Sequence, residues 1–312
     1  MITRALGILI AGLADLAVGD PRRGHPVAGF GRSASALESL SYRDDRSAGA
    51  VHTALLLGAV TALGVLVQRR ARGPVASAAV TAAATWTALG GTTLVRTAAA
   101  MAGELESGDL EGARAVLPAL CGRDPAALDE PGLARAALES VAENTSDAHV
   151  APLLWAALGG VPAVLAYRAI NTLDAMIGNR SARYARFGWA AARIDDVANL
   201  APARITAVLT AVCAPLVGGS AAGALRTWRA DASRHPSPNA GVAEAAFAGA
   251  LGVRLGGPTQ YRHELEIRPA LGDGPPPQIA DLRRAVRLSR WVQGAALTLA
   301  FAVAVVVQRR RP

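Results

Sequence analysis

Apolar and polar positions follow one another in long blocks along this chain rather than in a short alternation. Three apolar blocks, at 48–67, 205–225 and 291–307, are close to the length that crosses a lipid bilayer as a helix. A stretch at 2–18 predicts an N-terminal helix, and the blocks at 75–95 and 151–166 are weaker. Because no segment alternates with period two over several strand lengths, the pattern predicts an all-α, multi-pass membrane helical bundle with four to six spans.

Two polar segments separate these blocks, at 101–150 and 226–290. Acidic residues are dense from Gly103 to Asp147, so we expect helical hairpins in water there, with Gly122–Pro125 as a turn. The second segment contains a loop rich in glycine and proline at 272–277. We expect both segments to be helical polar insertions in a single integral-membrane domain over residues 1–312, located in the cell membrane.

The composition agrees with a membrane protein and narrows its partners. Hydrophobic residues make up 52% of the 312 residues and charged residues only 18%, below the roughly 25% usual in soluble domains. This composition excludes a disordered chain. The 32 basic residues, all arginine, outnumber 24 acidic ones, but no basic run is interleaved with aromatic residues, so we predict no nucleic-acid partner. Since the arginines flank apolar segments, they suit lipid head groups or anionic substrates.

Polar residues at the edge of apolar sequence are functional candidates because they are costly to place near lipid. Glu139, Glu143 and Asp147 are spaced i, i+4 and i+8, so a continuous helix puts three carboxylates on one face. Like charges in this arrangement repel one another and favour a bound cation, and oxygen ligands select magnesium or calcium. A solvated helix face is the alternative interpretation.

A second group stands at the end of the 151–166 block. Arg168, Asn171 and Asp174 recur every three residues and share one face of a helix. They are interpreted either as a polar wall in which Arg168 is available to a phosphate or carboxylate, or as internal hydrogen bonds between helices.

A third group precedes the 205–225 block. Asp195 and Asn199 are four residues apart and share a face, whereas Asp196 points elsewhere, and Arg193 and Arg204 flank them. An aspartate pair at this position resembles half of a phosphate–magnesium site. The alternative is a helix N-terminus whose acidic residues are favoured by the helix dipole.

Two proline-containing loops complete the candidates. Gly19-Asp20-Pro21 with His25-Pro26 forms a rigid loop whose imidazole can act near neutral pH, unless the histidine is structural. Before the helix that carries Glu244, Ser237 and Asn239 can present polar groups to an anion at a helix N-terminus, unless they only form a turn. The chain has neither a Walker A loop, which needs a lysine, nor a GxGxxG motif.

In this order, the motifs resemble those of the cobalamin-biosynthesis CobD/CbiB family, the adenosylcobinamide-phosphate synthases. The resemblance covers nearly the whole chain, and the succession of motifs between apolar helices is more specific than any one of them. The matching stretches are 19–21 with His25-Pro26-Val27, 139–147, 167–176, Phe187-Gly188 with 193–196, Pro202-Ala-Arg204, and 236–241 with Glu244.

The resemblance implies an amide ligation. A propionate carboxyl of adenosylcobyric acid is joined to aminopropanol, or to its O-phosphate, with ATP as cosubstrate and magnesium as cofactor. The product is adenosylcobinamide or its phosphate. The implied partners are the corrinoid substrate, the aminopropanol compound, the lipid bilayer and other membrane enzymes of cobalamin assembly.

We assign roles to the candidate residues as a hypothesis. The predicted magnesium ligands are Glu143, Asp147, Asp174 and Asp196, and the predicted catalytic residues are His25, Glu139, Glu143, Asp147 and Asp174, with His25 or Glu139 as the base. The predicted substrate-binding residues are Asp20, Asn144, Arg168, Asn171, Arg193, Asp195, Arg204, Ser237, Asn239 and Glu244.

Two other classes of protein compete with this interpretation. A membrane prenyltransferase also places Asp- and Asn-rich helix ends around a magnesium diphosphate, but it leaves the loops at His25-Pro26 and 236–241 unexplained. A transporter or scaffold for corrinoids would move its ligand without forming an amide.

Overall fold

The computed structural model describes residues 2–20, 24–179, 181–260 and 265–310. Pro21 of the predicted N-terminal loop lies outside these residues. In chain order, the α-helices and β-strands are α1 (Thr3–Val18), α2 (Pro26–Ser41), α3 (Arg46–Arg70), α4 (Pro74–Ala88), α5 (Gly91–Glu106), α6 (Leu110–Val116), α7 (Glu130–Thr145), α8 (Ala151–Gly159), α9 (Val161–Ile177), α10 (Tyr184–Phe187), α11 (Trp189–Ala198), α12 (Leu200–Cys213), α13 (Ala221–Asp231), α14 (Ala240–Leu251), β1 (Leu255–Gln260), β2 (Leu265–Leu271) and α15 (Ile279–Arg309).

Four helical stretches in the described part of the chain are long and apolar enough to cross a membrane. They are Arg46–Arg70, Pro74–Glu106, Leu200–Val217 and Ile279–Arg309. The predicted fold class, a helical membrane bundle, is therefore confirmed. The predicted spans at 48–67 and 291–307 lie inside α3 and α15, while the one predicted at 205–225 begins earlier, at Leu200, and ends at Val217.

The chain divides into two compact units. Unit 1 comprises Met1–Gly90, Asp147–Asn199 and Leu297–Pro312. Within it, α1 packs closely on α4 at Gly7. A Cβ atom at this position would lie only 2.7 Å from the Ala78 carbonyl oxygen, so a glycine is needed there. In the same way, Gly64 lets α3 approach the start of α9 at Pro162. Small residues at such contacts are typical of helices that pack in membranes.

Unit 2 comprises Gly91–Ser146 and Leu200–Ala296. Its helices α7 and α14 are buried on most sides, and all but one of the twelve residues of α14 are buried. The predicted turn at 122–125 lies in a non-helical connection that runs into a short 3-10 helix, Pro125–Ala127. The prediction of a hairpin in water is wrong for α7. Eleven residues of α7 are buried, and its buried Glu139 has an arginine partner, Arg123. The single-domain assignment stays a prediction.

The second polar segment contains an antiparallel hairpin, so the prediction that the insertions are helical throughout is wrong for β1 and β2. Leu255 pairs with Leu271 and Gly257 with Arg268, with a bulge between Leu255 and Gly257. Gly256 in this bulge has a φ of 82°, which favours glycine. Two glycines and a proline in β1 obscure the strand in the sequence because both residue types are depleted in strands.

Candidate functional site

A π-helical segment, Ser146–Val150, follows α7 and carries Asp147. Pro152 has no N–H to donate to the carbonyl group of Ala148, four residues earlier. This carbonyl instead accepts a hydrogen bond from the backbone N–H of Gly90, at 2.9 Å. The uninterrupted α-helix that would align all three predicted carboxylates therefore ends at Thr145, and regular i, i+4 spacing holds only for Glu139 and Glu143. Single π-helical turns inside helices are frequent at functional sites.

Six polar residues of unit 1 form a connected network, which we call the unit 1 cluster: Asp147, Tyr167, Arg168, Asn171, Asp195 and Asn199. The amide nitrogen of Asn171 lies 3.4 Å from Asp147 Oδ2 and 3.5 Å from Asp195 Oδ1, so one side chain faces both carboxylates. The Oδ1 atom of Asn171 lies 3.4 Å from the Arg168 guanidinium. The helix face that carries Arg168 and Asn171 thus contacts Asp195 of α11.

Asn199 and Tyr167 complete the hydrogen bonds of the unit 1 cluster. Asn199 donates from its amide nitrogen to Asp195 Oδ2 at 3.0 Å, as the i, i+4 spacing predicts. The Tyr167 hydroxyl lies within hydrogen-bond distance of Asn199 Oδ1 and of the Asp147 carbonyl oxygen, at 2.9 and 3.0 Å. Burial, and after it the charges of Asp147 and Asp195, raise the pKa of Tyr167 well above its usual value. The phenol therefore stays protonated and acts as a donor.

The unit 1 cluster offers two carboxylates, amide oxygens and one guanidinium. Hard oxygen donors of this kind fit magnesium, which usually takes only one or two protein carboxylates together with substrate phosphates. Among the described residues, no group of three or more His, Cys, Asp or Glu side chains could hold a metal ion. The four predicted ligands therefore do not form a closed metal cage, and the magnesium assignment stays a prediction.

The other predicted residues of unit 1 have local contacts. Arg193 pairs with Asp196 at 3.1 Å on the more exposed side of α11, away from Asp195, as the spacing predicts. His25 begins α2, and its Nδ1 atom accepts the N–H of Val27 at 3.1 Å. The carboxylate of Asp174 lies at the end of α9 beside Gly178. Asp20 is half-buried close to Gly90.

Unit 2 contains a second network of charged residues, which we call the unit 2 cluster: Arg123, Glu139, Glu143, His235, Glu244 and Arg268. Arg123 and Glu139 form a buried ion pair in which the two residues are 5% and 2% exposed. The other carboxylate oxygen of Glu139 accepts the N–H of Gly256 in the hairpin bulge at 2.7 Å. Arg135 donates to the carbonyl of Gly256 at 2.5 Å, so α7 holds the hairpin at this point.

Glu244 is the most enclosed member of the unit 2 cluster, with 1% of its surface exposed. Its Oε1 atom lies 3.9 Å from Nε2 of His235 and 3.9 Å from the Arg268 guanidinium. These distances are too long for hydrogen bonds, and neither oxygen of Glu244 accepts a hydrogen bond from any described residue. A buried carboxyl group without hydrogen bonds is energetically costly.

The proton affinities of the unit 2 cluster follow from this burial. Burial, and then the charges of Glu139 and Glu143, raise the pKa of Glu244 well above its usual value. Burial also raises the pKa of Glu143, against the opposing charges of Arg268 and Arg123. The pKa of His235 is lowered, first by burial and then by Arg268, which favours the neutral imidazole.

The remaining predicted residues of unit 2 mainly stabilise local structure. Arg204 donates to Asn239 Oδ1 at 2.8 Å. The Ser237 hydroxyl accepts the N–H groups of Asn239 and Ala240, at 3.3 and 3.1 Å, so it occupies backbone donors that we expected to face an anion. Asn144 donates to the Ser140 carbonyl at 3.0 Å.

Sequence reasoning missed several members of the two clusters. Tyr167 lies inside the matching stretch 167–176, and Asn199 shares a helix face with Asp195 by its spacing, but the sequence assigns neither of them a role in the site. Arg123 falls in the predicted turn at 122–125 and His235 directly precedes the loop at 236–241, so neither position indicates a charged cluster. Arg268 stands on an unpredicted strand, so no periodic pattern could have identified it.

The fold and the two buried clusters define a helical membrane protein that carries concentrated acid, amide and guanidinium groups next to apolar helices. The sequence model of the family described as CobD/Cbib protein matches residues 8–289. The chain belongs to this family of cobalamin-biosynthesis proteins.

Similar curated proteins support the same family. The chain is 66% identical over 310 residues to "Cobalamin biosynthesis protein CobD" of Mycobacterium tuberculosis (strain CDC 1551 / Oshkosh), covering 99% of this chain and 98% of the relative. It is 44% identical over 272 residues to the protein of that name from Geobacter metallireducens, covering 85% and 86%. The protein of that name from Rhodobacter capsulatus is 41% identical over 316 residues, covering 98% and 97%. No solved structure matches the chain.

Proposed function

We propose that this chain is the adenosylcobinamide-phosphate synthase of its pathway. It joins the amino group of aminopropanol, or of its O-phosphate, to a propionate carboxyl of adenosylcobyric acid, with ATP as cosubstrate and magnesium as cofactor. Membership of the CobD/Cbib family supports a step of cobalamin biosynthesis, and four candidate spans support a reaction at a membrane.

The chemistry of the reaction explains why phosphate-binding groups are needed. A carboxylate at neutral pH resists attack by an amine because its leaving group would be an oxide ion. Transfer of the terminal phosphoryl group of ATP to a carboxylate oxygen releases ADP and gives an acyl phosphate. The amine then attacks the acyl carbon, inorganic phosphate leaves, and the nitrogen loses a proton to a base. Positioning and charge neutralisation are the main contributions that a protein makes to such a transfer.

The unit 1 cluster carries the proposal. Two carboxylates facing one amide nitrogen beside a guanidinium fit a phosphate group with its magnesium ion. Magnesium would neutralise the phosphate charge when bound. Asp147 and Asp195 would hold it, Arg168 would bind phosphate oxygens directly, and Asn171 would fix the two carboxylates relative to each other.

A purified-protein assay tests the reaction. The full chain in detergent or nanodiscs is given adenosylcobyric acid, ATP and magnesium with either aminopropanol or its O-phosphate, and the products are identified by mass. We expect an amide product with stoichiometric release of ADP. Consumption of a prenyl diphosphate in place of ATP, or accumulation of corrinoid in vesicles without a new covalent bond, would contradict the proposal.

Two neighbouring aspartates provide a matched pair of variants. Asp195→Asn removes a buried carboxylate of the unit 1 cluster, and we expect at least a hundredfold loss of kcat/KM. Asp196→Asn removes the carboxylate that pairs with Arg193 on the more exposed side of the same helix. If both variants lose activity equally, the phosphate site is not organised around the unit 1 cluster, and the predicted role of Asp196 is favoured instead.

A further inference from the structure

The unit 2 cluster has an unbalanced charge. Its three carboxyl groups, on Glu139, Glu143 and Glu244, face two guanidinium groups, while the imidazole of His235 is favoured in its neutral form. Glu139 is fully engaged by Arg123 and by the N–H of Gly256. The excess negative charge therefore lies with Glu143 and Glu244. One further cation or one proton neutralises the cluster.

Both carboxylate oxygens of Glu244 can accept a hydrogen bond from a bound ligand. Glu244 is 1% exposed, both of its oxygens lack a hydrogen bond from the described residues, and the side chains of His235 and Arg268 lie 3.9 Å from it. It is also the only charged residue of α14, which is otherwise built of apolar and glycine residues. A purely structural core at this position favours an apolar side chain, because burying a carboxyl group without hydrogen bonds costs free energy.

We propose that Glu244 and Glu143 form the subsite that binds the primary ammonium group of the amine substrate. An ammonium group supplies one positive charge and three hydrogen-bond donors, which match one excess charge and four carboxylate oxygens. Glu143 is half-buried, whereas Glu244 is buried, and the charge of Glu143 acts on Glu244. A metal ion fits less well because no group of three metal-ligating side chains occurs among the described residues.

The subsite also prepares the amine for reaction. An ammonium group has no lone pair and must lose a proton before nitrogen can attack the acyl carbon. A carboxylate whose pKa is raised by burial accepts a proton more readily than one in water. Glu139 is held by Arg123 and by the N–H of Gly256, whereas neither oxygen of Glu244 accepts a hydrogen bond from the described residues. The contacts therefore favour Glu244 over the predicted Glu139 as the proton acceptor.

This inference rests on the proposed function for the identity of the amine, and direct binding tests it without catalysis. The full chain in detergent is titrated calorimetrically with aminopropanol O-phosphate, and with propanediol phosphate, which lacks the amino group. We expect Glu244→Gln and Glu143→Gln each to weaken binding of the amine at least tenfold, with little change for the diol. Glu111→Gln is the matched control because it removes an exposed carboxylate, paired with Arg114, from the same unit.

Steady-state kinetics give the second readout. In the Glu244→Gln variant we expect KM for the amine to rise at least tenfold while KM for ATP changes less than threefold. A thermal unfolding temperature at or above that of the unchanged protein shows that the isosteric variant is folded. Unchanged affinity for the amine in both variants, or a loss of Mg²⁺ binding in place of amine binding, overturns the subsite.

The two proposals can fail separately. If the unchanged protein forms the amide but Glu244→Gln keeps its affinity for the amine, the subsite is wrong and the proposed function stands. If the amine binds and the glutamine variants lose that binding, yet no amide forms with ATP, the subsite stands and the proposed function is wrong.

Discussion

The buried pair of Arg123 and Glu139 allows a stability prediction to be worked from the structure. Both residues are at most 5% exposed, so removing one partner leaves an uncompensated charge in the core of unit 2. Breaking such a pair costs about 3–5 kcal/mol. We therefore expect Arg123→Gln to lower the free energy of unfolding by this amount. Glu139→Gln keeps an oxygen that can accept the N–H of Gly256, whereas Glu139→Ala leaves that donor unsatisfied, at a further cost of about 1–3 kcal/mol.

A double-mutant cycle separates the pair from its surroundings. Because Arg123→Gln with Glu139→Gln places two neutral amides side by side, we expect the double variant to cost about 1–3 kcal/mol less than the sum of the single variants. Unfolding is measured in mixed micelles of increasing denaturing detergent, followed by the fluorescence of the five tryptophans.

An exposed ion pair of the same unit provides the control. Glu111 pairs with Arg114 at 2.6 Å, and its side chain is 83% exposed, so Glu111→Gln is expected to cost less than about 1 kcal/mol. If Arg123→Gln costs no more than Glu111→Gln, or if the double variant costs the full sum, the pair does not have the buried, coupled character argued for it.

Three further predictions concern stability. Burial raises the pKa of Glu244 above its ordinary 4.5, so the contribution of this group to stability is complete below pH 4.5 and is lost as pH rises through the raised pKa. The Glu244→Gln variant should therefore gain stability relative to the unchanged protein between pH 4 and pH 8. A difference in unfolding midpoints that does not depend on pH would refute this. Gly188→Ala should cost about 1–3 kcal/mol because its Cβ atom meets a carbonyl oxygen at the end of α9, whereas Gly58→Ala, which points into open space, should cost nothing in the same unfolding measurement. Tyr167→Phe leaves the buried Oδ1 atom of Asn199 without the donor that Tyr167 supplies and should cost about 1–3 kcal/mol of stability. Tyr42→Phe should cost less because the hydrogen bond of its hydroxyl group is exposed. Equal effects of the two variants would refute the argument.

Local spacing predicted the parts of the sites that lie on one regular helix. Asp195 and Asn199 share a face and hydrogen-bond because they are four residues apart, and Asp196 pairs instead with Arg193. The long apolar blocks likewise predicted α3 and α15, because length and hydropathy alone decide whether a helix can cross a membrane. These predictions needed no knowledge of distant contacts.

The features that were missed depend on residues far apart in sequence. The π-helical turn at Asp147 needs both the absent N–H of Pro152 and the N–H of Gly90, and only the first is visible locally. The burial of α7 likewise depends on partners from elsewhere in unit 2, such as Arg123 for Glu139. A pattern of polar residues indicates water exposure only when no such partner exists, which is why the segment was predicted to be solvated.

The carboxylates of the two clusters differ in the hydrogen-bond donors around them, and this difference argues for different roles. In the unit 1 cluster, each oxygen of Asp195 is within 3.5 Å of an amide nitrogen, so its carboxylate already has hydrogen-bond donors. Such carboxylates are suited to a cation that arrives with a phosphate. In the unit 2 cluster, Glu244 has no hydrogen-bond donor among the described residues, and burial raises its pKa, so its ionised form is disfavoured until a positive group enters. The proposed amide ligation needs both kinds of carboxylate, since one substrate would be activated by phosphate and the other would lose a proton.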